Sequence, residues 1–370
     1  MRALLIGGTG PTGPHILNGL AERGYAVTML NRGSHGAGVT LPDGARHLVG
    51  DPHFAETLRD ALGSQTFDIT IATYGRIRFV AEVMAGRTGQ LITVGGSPGI
   101  RGSRQPSLLF PAGQQTPIPE DAERVPSIDE FKFGYLARIS EDAVLDRHAA
   151  GVYSATHFRY PLIYGPRQLR PAEWPVIRRL LDGRRHIVLP DAGLTMLSRG
   201  FARNMAGAVL LAVDQPDNAA GQLYHAADTH QLSLAQWVQV IAAAVGSELE
   251  VISVPAALAY PARNLMISRR TSHHQLFDTF KLRAELGYAD LVSPLDALAE
   301  TARWYAEHPP EESDQEAALM RAHYDTEDAM ARIVKEAEAN LQSVPFEEPD
   351  YQHPYAHPKQ PGQGSDHHGR

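Results

Sequence analysis

A glycine-rich turn directly after the first apolar segment constrains the fold of this chain more than any other feature. The segment from Arg2 to Ile6 is apolar enough to form a buried strand, and it leads through Gly7-Gly8-Thr9-Gly10-Pro11-Thr12-Gly13 into a helical pattern. Read as G-x-x-G-x-x-G, the turn bends sharply at Gly7, admits a diphosphate to the backbone at Gly10, and brings the helix against the strand at Gly13. The free amides and the positive end of the helix then hold phosphate oxygens. The spacing therefore predicts a dinucleotide site that contains Gly7, Thr9, Gly10, Pro11, Thr12 and Gly13.

Short apolar runs alternate with helical patterns through the first half of the chain. After the first strand, further strands are predicted at Tyr25–Leu30, His47–Val49, Phe67–Ile71, Leu91–Val94 and Ser154–Tyr160. Continuous apolar strands of this kind favour a parallel sheet that is covered by helices on both faces. The fold class is therefore α/β, a Rossmann doubly wound parallel sheet with a smaller mixed α/β C-terminal substrate domain and a C-terminal helical and extended tail.

Changes in composition predict three regions. Residues 1–160 form the NADP-binding Rossmann domain, 161–308 the substrate domain with interleaved segments, and 309–370 an acidic helix followed by a flexible His/Pro-rich tail. Residues 98–130 are rich in Pro, Gly and polar side chains, so they are predicted to form a long loop. The tail histidines are His353, His357, His367 and His368. The Pro-, Gln- and Gly-rich composition around them favours a solvated tail over a metal site, so no metal site is predicted.

The end of the second strand selects the cofactor. An acidic residue there would bond the adenosine ribose and favour NAD, but this chain has Asn31-Arg32-Gly33. A guanidinium binds a 2′-phosphate through charge-assisted bonds, so NADP is predicted, with NAD as the less favoured choice. Asp51 follows the third strand and is predicted either to accept from the adenine amino group or to serve as a turn residue.

Composition and missing motifs exclude several other classes. The net charge is -8 and the sequence pI about 6.1, so no positive field attracts nucleic acid or an anionic membrane. The chain has no cysteine, which excludes disulfides and thiolate chemistry. It also lacks a Walker lysine after the glycine turn. The expectation is a cytoplasmic protein with a small-molecule substrate.

Several separated segments together resemble the extended short-chain dehydrogenase/reductases, the NAD-dependent epimerase/dehydratase family, over about residues 1–308. They are the glycine turn, Leu91–Ser97, Pro117–Asp121, Phe158–Arg167, and a C-terminal stretch that ends near Tyr305. The short passage between Ala72 and Leu91 resembles the atypical branch of the family. The resemblance implies a Rossmann fold, an NAD(P) cofactor and oxidoreductase or related activity. A homodimer is one assembly that it implies.

The chemistry of this family uses Tyr-x-x-x-Lys on one helical face, where tyrosine moves a proton and lysine holds the nicotinamide ribose. Aligning the family's neighbouring glycine and glutamate with Gly134 and Glu141 puts Phe133 at the tyrosine position and Ala137 at the lysine position. The other register takes Tyr135 as the tyrosine and finds Ile139 instead of lysine. Neither register supplies the pair, so the usual mechanism is predicted to be impaired or replaced.

Other residues are candidates for the missing roles. Ser97 matches the family's catalytic serine, Tyr74 is expected near the nicotinamide, and Tyr135 lies on the catalytic helix. Each also has a structural interpretation, which is a strand-end serine for Ser97 and packing for Tyr74. The resemblance adds Tyr160 and Pro161 to the cofactor site. Arg76 and Arg78 are predicted either to anchor an anionic substrate or to be solvated.

Three functions remain open on these grounds. The first is an NADP-dependent oxidoreductase that acts on a small-molecule carbonyl, imine or activated alkene, with Ser97, Tyr74 or water in place of the missing tyrosine. The second is a redox-neutral epimerase, isomerase or lyase on the same fold. The third is a catalytically silent NADP-binding sensor or scaffold.

Overall fold

A computed structural model describes residues 1–33, 39–168, 170–266, 271–349, 351, 354–355, 360–362 and 364–365. The chain divides into two compact units, Met1–Met330 and Ala331–Arg370. The region bounds given above remain predictions. Most of the predicted His/Pro-rich tail, including its four histidines, lies outside the described residues.

The strands, in chain order, are β1 (Arg2–Ile6), β2 (Ala26–Asn31), β3 (Arg46–Val49), β4 (Phe67–Ala72), β5 (Thr88–Gly96), β6 (Ser154–Tyr160), β7 (Leu162–Tyr164), β8 (His186–Pro190), β9 (Arg199–Phe201), β10 (Gln222–His225) and β11 (Glu250–Val254). A seven-stranded parallel sheet has the order β10-β6-β5-β4-β1-β2-β3. Two small parallel pairs, β8 with β11 and β7 with β9, accompany it. The predicted Rossmann fold is confirmed.

The helices are α1 (Gly13–Glu22), α2 (Ala55–Leu62), α3 (Ile77–Val83), α4 (Lys132–Ala149), α5 (Trp174–Leu181), α6 (Ala202–Asp214), α7 (Pro216–Ala219), α8 (Leu234–Ala244), α9 (Phe280–Leu286), α10 (Pro294–Glu307) and α11 (Asp314–Gln342). Among the residues that the structure describes, no helix combines the length and apolar character needed to cross a bilayer. Residues 98–130 hold only short 3-10 turns.

Apolar side chains on both faces of the sheet explain why the strands read as continuous apolar runs. On one face, Ala3 and Leu5 pack with residues of α1 and α6. On the other, Leu4 and Ile6 pack with residues of α2, α3 and α4. Each fully buried Leu or Ile contributes about 1.5–3 kcal/mol, so this double packing is what holds the sheet.

The sheet order reverses between β1 and β4, and this reversal positions the site. The loops after these two strands lead away from each other, which opens a crevice at the carboxyl ends of the strands. Gly7 follows β1 and Thr73 follows β4, so both lie at this crevice.

The glycine turn is shaped by two close approaches and one open position. Gly7 has a φ of +112°, and a Cβ there would lie 2.5 Å from Thr73 Oγ1. A Cβ on Gly13 would lie 2.2 Å from the carbonyl oxygen of Gly8. A Cβ on Gly10, in contrast, would meet no atom within 4 Å. Gly13 is therefore required by the fold, whereas Gly10 leaves space for a ligand.

Replacing Gly13 with alanine should lower the free energy of unfolding by about 1–3 kcal/mol, because the new methyl group forces the turn away from the helix. Urea denaturation measures this change. Gly10→Ala is the matched control and should shift stability by less than about 0.5 kcal/mol. Equal stability of the two variants would contradict the close packing at Gly13.

Candidate functional site

A cavity of about 650 Å³ lies at the crevice between β1 and β4. This volume is typical of cofactor and small-molecule sites, which span about 300–1,000 Å³. Of the residues predicted from sequence, it is lined by Gly7, Thr9, Gly10, Pro11, Thr12, Asn31, Arg32, Tyr74 and Tyr160. Its remaining lining residues are Gly8, Gly33, Val39, Thr73, Val94, Ile163, Arg167, Gln168 and Trp304. We refer to it as the dinucleotide cavity.

One end of the dinucleotide cavity carries Arg32 and Tyr74. The guanidinium carbon of Arg32 lies 5.3 Å from the centre of the Tyr74 ring, which also packs edge-on against His53. Arg32 forms no ion pair with a carboxylate of the described residues. Tyr74, expected near the nicotinamide, therefore lies against the arginine that follows β2. Residues 34–38, which come next in the chain, lie outside the described residues.

Asn31 is buried, and its side chain organises the turn after β2. Its Oδ1 accepts a hydrogen bond from the Gly33 amide at 2.8 Å and lies 3.1 Å from Nε2 of His47. The side chain thus holds the backbone that presents Arg32 to the cavity.

Three of the predicted cofactor residues are not among those that line the cavity. Gly13 packs against Gly8 beneath the turn, and Pro161 lies beside Gly200. Asp51 accepts a hydrogen bond from the backbone amide of His53 at 3.0 Å, and the ring nitrogen Nδ1 of His53 lies 2.8 Å from the same oxygen. Partial burial opposes ionisation, but these bonds lower the pKa of Asp51. Its role toward adenine remains a prediction.

Tyr160 contributes its ring rather than its hydroxyl. The phenol donates a hydrogen bond to the carbonyl of Met205 at 2.9 Å, and burial raises the pKa of Tyr160. This side chain is therefore a wall of the cavity and not a proton donor.

A second cavity, of about 490 Å³, lies beside α4 and shares Val94 with the dinucleotide cavity. We call it the α4 cavity. Phe133 and Ala137, which one of the two registers predicts at the positions of the family's tyrosine and lysine, both line it. It is further lined by His53, Gly75, Arg76, Ile77, Arg78, Gly95, Gly96, Leu136, Ser140, Glu141 and His157.

Of the three predicted catalytic residues, only Tyr74 lines either of these two cavities. Ser97 begins the 3-10 turn that follows β5, where its carbonyl accepts from the Ile100 amide at 3.0 Å. Tyr135 is half-buried on α4, with the Arg138 guanidinium carbon 4.9 Å from its ring centre. The structure thus does not gather Ser97, Tyr74 and Tyr135 around one cavity, and their catalytic roles remain predictions.

A buried ion pair fixes α4 on the sheet. Arg159 donates from Nε and Nη2 to the two carboxylate oxygens of Glu141, at 2.8 and 2.7 Å. Burial opposes the charge, but the bonds from Arg159 lower the pKa of Glu141. The same guanidinium donates to the Glu120 carbonyl and contacts Nε2 of His225 at 3.1 Å.

His157 carries the least satisfied polar atom of the α4 cavity. Its Nδ1 pairs with the Thr93 hydroxyl at 2.7 Å, while the buried Nε2 has no hydrogen-bond partner. The nearest carboxylate oxygen, Oε1 of Glu141, is 3.9 Å away. Burial lowers the pKa of His157 to about 4, so the imidazole is neutral near pH 7.

Several lining residues carried no recognisable signal in the sequence. His157 lies mid-strand and looks like a core residue, and Trp304 lies far along the chain in α10. The sequence analysis used Glu141 only to align the helix with the family and assigned it no role in the site. Its opposite charge to Arg159 was the one sequence feature that could have predicted the ion pair between them.

The free energy of unfolding should fall as the pH drops from 6.5 towards 4. The unfolded chain protonates His157 at its ordinary pKa of 6.5, whereas the folded chain does so only near 4. This difference corresponds to about 3 kcal/mol, present above pH 6.5 and lost on acidification. Urea denaturation from pH 4 to 7.5 measures it. His157→Gln should reduce the slope of the profile, leaving the part that the buried His225 contributes, and the exposed His230→Gln should not. A His157→Gln profile that superimposes on the wild-type profile refutes the assignment.

Comparison with known proteins identifies one named relative. A 3-diazoavenalumate denitrifying reductase from Streptomyces sp is 26% identical over 271 residues, which cover 70% of this chain and 86% of that protein. No protein-family model matches the chain.

Solved structures with the same architecture include a UDP-glucose 4-epimerase from Thermotoga maritima with UDP-glucose. It has a TM-score of 0.66 at 17% identity and covers 83% of this chain and 99% of its own. A short-chain dehydrogenase/reductase superfamily protein from Agrobacterium tumefaciens with bound NAD has a TM-score of 0.62 at 15% identity. The match covers 83% of this chain and 97% of that protein. These similar proteins include a reductase and an epimerase. The chain therefore has the fold of the extended short-chain dehydrogenase/reductases, which confirms the resemblance of its sequence to that family.

Proposed function

We propose that this protein is an NADPH-dependent reductase that transfers hydride to an electron-poor acceptor without a phenolic proton donor. The observation that carries the proposal is the wall of the α4 cavity. Phe133 and Ala137 line the cavity that meets the dinucleotide cavity at Val94. Neither side chain can exchange a proton.

The dinucleotide cavity fits an NADP cofactor. The open space beside Gly10 suits a diphosphate. The backbone amides of the glycine turn, at the N-terminus of α1, can donate hydrogen bonds to its oxygens. Arg32, which has no carboxylate partner in the described chain, suits the 2′-phosphate and is held in place by the Tyr74 ring. When bound, such a cofactor supplies a hydride equivalent.

The missing proton donor restricts the acceptor. Reduction of a carbonyl places a negative charge on oxygen, and a tyrosine normally neutralises it by giving a proton. An acceptor that loses a leaving group on receiving hydride needs no such proton. The proposal therefore favours the second kind of acceptor over the carbonyl, imine or alkene that the family resemblance alone suggests.

The name of the relative points to one acceptor of this kind. It describes the loss of diazo nitrogen from a carboxylate by a reductase. For an aryl diazonium cation, one hydride forms the ring C–H bond, the C–N bond breaks, and dinitrogen leaves. Charge and atoms balance with no proton. We propose an aryl diazonium as the substrate class here.

Replacement of Arg32 by glutamine tests the cofactor. The affinity for NADPH should fall about 10- to 100-fold, since a charge-assisted bond contributes about 1.5–3 kcal/mol, while NADH affinity stays the same. Calorimetric titration with both dinucleotides measures this. Arg104→Gln, at an exposed arginine of the long loop outside both cavities, is the control. A wild-type protein that binds neither dinucleotide overturns the proposal.

The reaction is tested with NADPH deuterated at the transferred position and 3-diazoniobenzoate, which carries a carboxylate as the relative's named substrate does. We expect one dinitrogen per NADPH oxidised and deuterium at the ring carbon that carried nitrogen, measured by mass spectrometry. Simple ketones should react at least about 100-fold more slowly, because Phe133 and Ala137 cannot supply a proton.

The double variant Phe133→Tyr/Ala137→Lys provides the matched comparison. It should gain ketone reduction without faster turnover of the diazonium, and Phe280→Tyr, at an exposed site on α9, should change neither. Wild-type turnover of ketones at the diazonium rate, or deuterium lost to solvent, contradicts the proposed acceptor.

A further inference from the structure

The α4 cavity has a positive rim. Arg76 and Arg78 both line it, and neither forms an ion pair with a carboxylate of the described residues. Their guanidinium carbons lie over aromatic rings, Arg76 at 5.3 Å from the Phe54 ring centre and Arg78 at 4.7 Å from that of Phe79. Ring contact of this kind holds a guanidinium while its N–H edges stay available to an anion.

No acid in the cavity wall cancels this charge. Glu141 is the one carboxylate among the lining residues, and both its oxygens are bound by Arg159. Glu82, on the same helix as Arg78, pairs with Arg59 instead. The rim therefore favours an anionic ligand.

The sides of the cavity suit a flat apolar body. Phe133 and Leu136 contribute to the α4 wall, and Ile77 and Val94 face the same space. The short Ala137 side chain, where the family resemblance implies lysine, leaves room between them. A volume of about 490 Å³ accommodates a single aromatic ring with a short side chain.

The floor offers one polar contact. Nε2 of His157 belongs to a side chain that is 1% exposed, lines the cavity and lacks a hydrogen-bond partner. An unsatisfied buried nitrogen costs about 1–3 kcal/mol, which a polar substituent on a ligand would recover.

From these three features we infer that the α4 cavity binds a hydroxylated aromatic monocarboxylate. The carboxylate pairs with Arg76 and Arg78, the ring rests on the wall formed by Phe133 and Leu136, and the ring hydroxyl bonds to His157. This inference rests on the proposed reductase function and specifies the substrate class: the acceptor carries a carboxylate at the end opposite its polar ring substituent.

Calorimetry with cinnamate, cinnamamide and 4-hydroxycinnamate tests the inference, on the protein alone and with NADP⁺ bound. Cinnamate should bind at least tenfold more tightly than the uncharged cinnamamide. The variant Arg76→Gln/Arg78→Gln should weaken cinnamate about 10- to 100-fold and leave cinnamamide unchanged. The double variant Arg104→Gln/Arg283→Gln, at exposed arginines outside both cavities, is the charge-matched control.

A second comparison tests the hydrogen bond between the ring hydroxyl and His157. Wild-type protein should bind 4-hydroxycinnamate more tightly than cinnamate, and His157→Phe should abolish that preference while keeping the preference for the carboxylate over the amide. Because both comparisons are made within one folded variant, a general loss of stability does not mimic either result.

Two outcomes overturn the inference. Equal affinities for cinnamate and cinnamamide show that the arginines do not read a carboxylate. Displacement of cinnamate by equimolar inorganic phosphate shows a general anion site. Failure of NADP⁺ to bind is a separate result, which overturns the proposed function. The titrations of the protein without cofactor would still test the carboxylate site.

Discussion

The ion pair between Arg159 and Glu141 is the interaction on which the rest of the site depends. Both side chains are almost fully buried, and removing one partner of such a pair costs about 3–5 kcal/mol because the other charge is left in a poor solvent. The pair joins β6 to α4, and the same guanidinium reaches the long loop through the Glu120 carbonyl and β10 through His225. Four separate parts of the chain are thus aligned by one arginine.

This alignment determines which side chains α4 presents to the α4 cavity. Phe133, Ala137 and Glu141 are four residues apart and therefore share one face of the helix, and all three line the α4 cavity. Once Glu141 is held by Arg159, the rotation of the helix about its axis is fixed. Phe133 and Ala137, where one register predicts the family's tyrosine and lysine, then face the cavity with apolar side chains.

Buried charges also set the protonation states around the cavity. The positive charge of Arg159, together with the burial that is the larger cause, lowers the pKa of His225 to about 3. Burial likewise keeps His157 neutral, although Glu141 opposes this. The floor is therefore polar but uncharged, and the charge of the cavity is concentrated on the two arginines of the rim. Such a separation lets one end of a ligand be chosen by charge and the other by a hydrogen bond.

Local features of the sequence predicted much of this, and contacts between distant segments account for the rest. The glycine turn and the strands are encoded within a few residues, so β1 and β6 match their predicted bounds. Gly134, on which one register of α4 was aligned, is required by the fold, because a Cβ there would lie 2.4 Å from the Pro98 carbonyl oxygen. The register itself remains a prediction. In contrast, the contacts of Tyr74 with Arg32 and with His53 depend on how loops from different strands meet. The orphaned nitrogen of His157 depends on packing between β6 and α4, which no local pattern reveals.

The proposed acceptor and the proposed carboxylate site constrain each other through electrostatics. A diazonium is a cation, so the arginine rim alone would repel it. With a carboxylate on the same molecule, the two ends experience opposite forces: at 4 Å and an effective dielectric constant of 20, one unit charge pair is worth about 4 kcal/mol. Reversing the ligand would exchange this attraction for a repulsion of similar size. The carboxylate therefore selects the orientation in which the cationic group lies away from Arg76 and Arg78. The same charge that excludes a simple cation thus aligns a zwitterion, and this alignment needs no proton from Phe133 or Ala137.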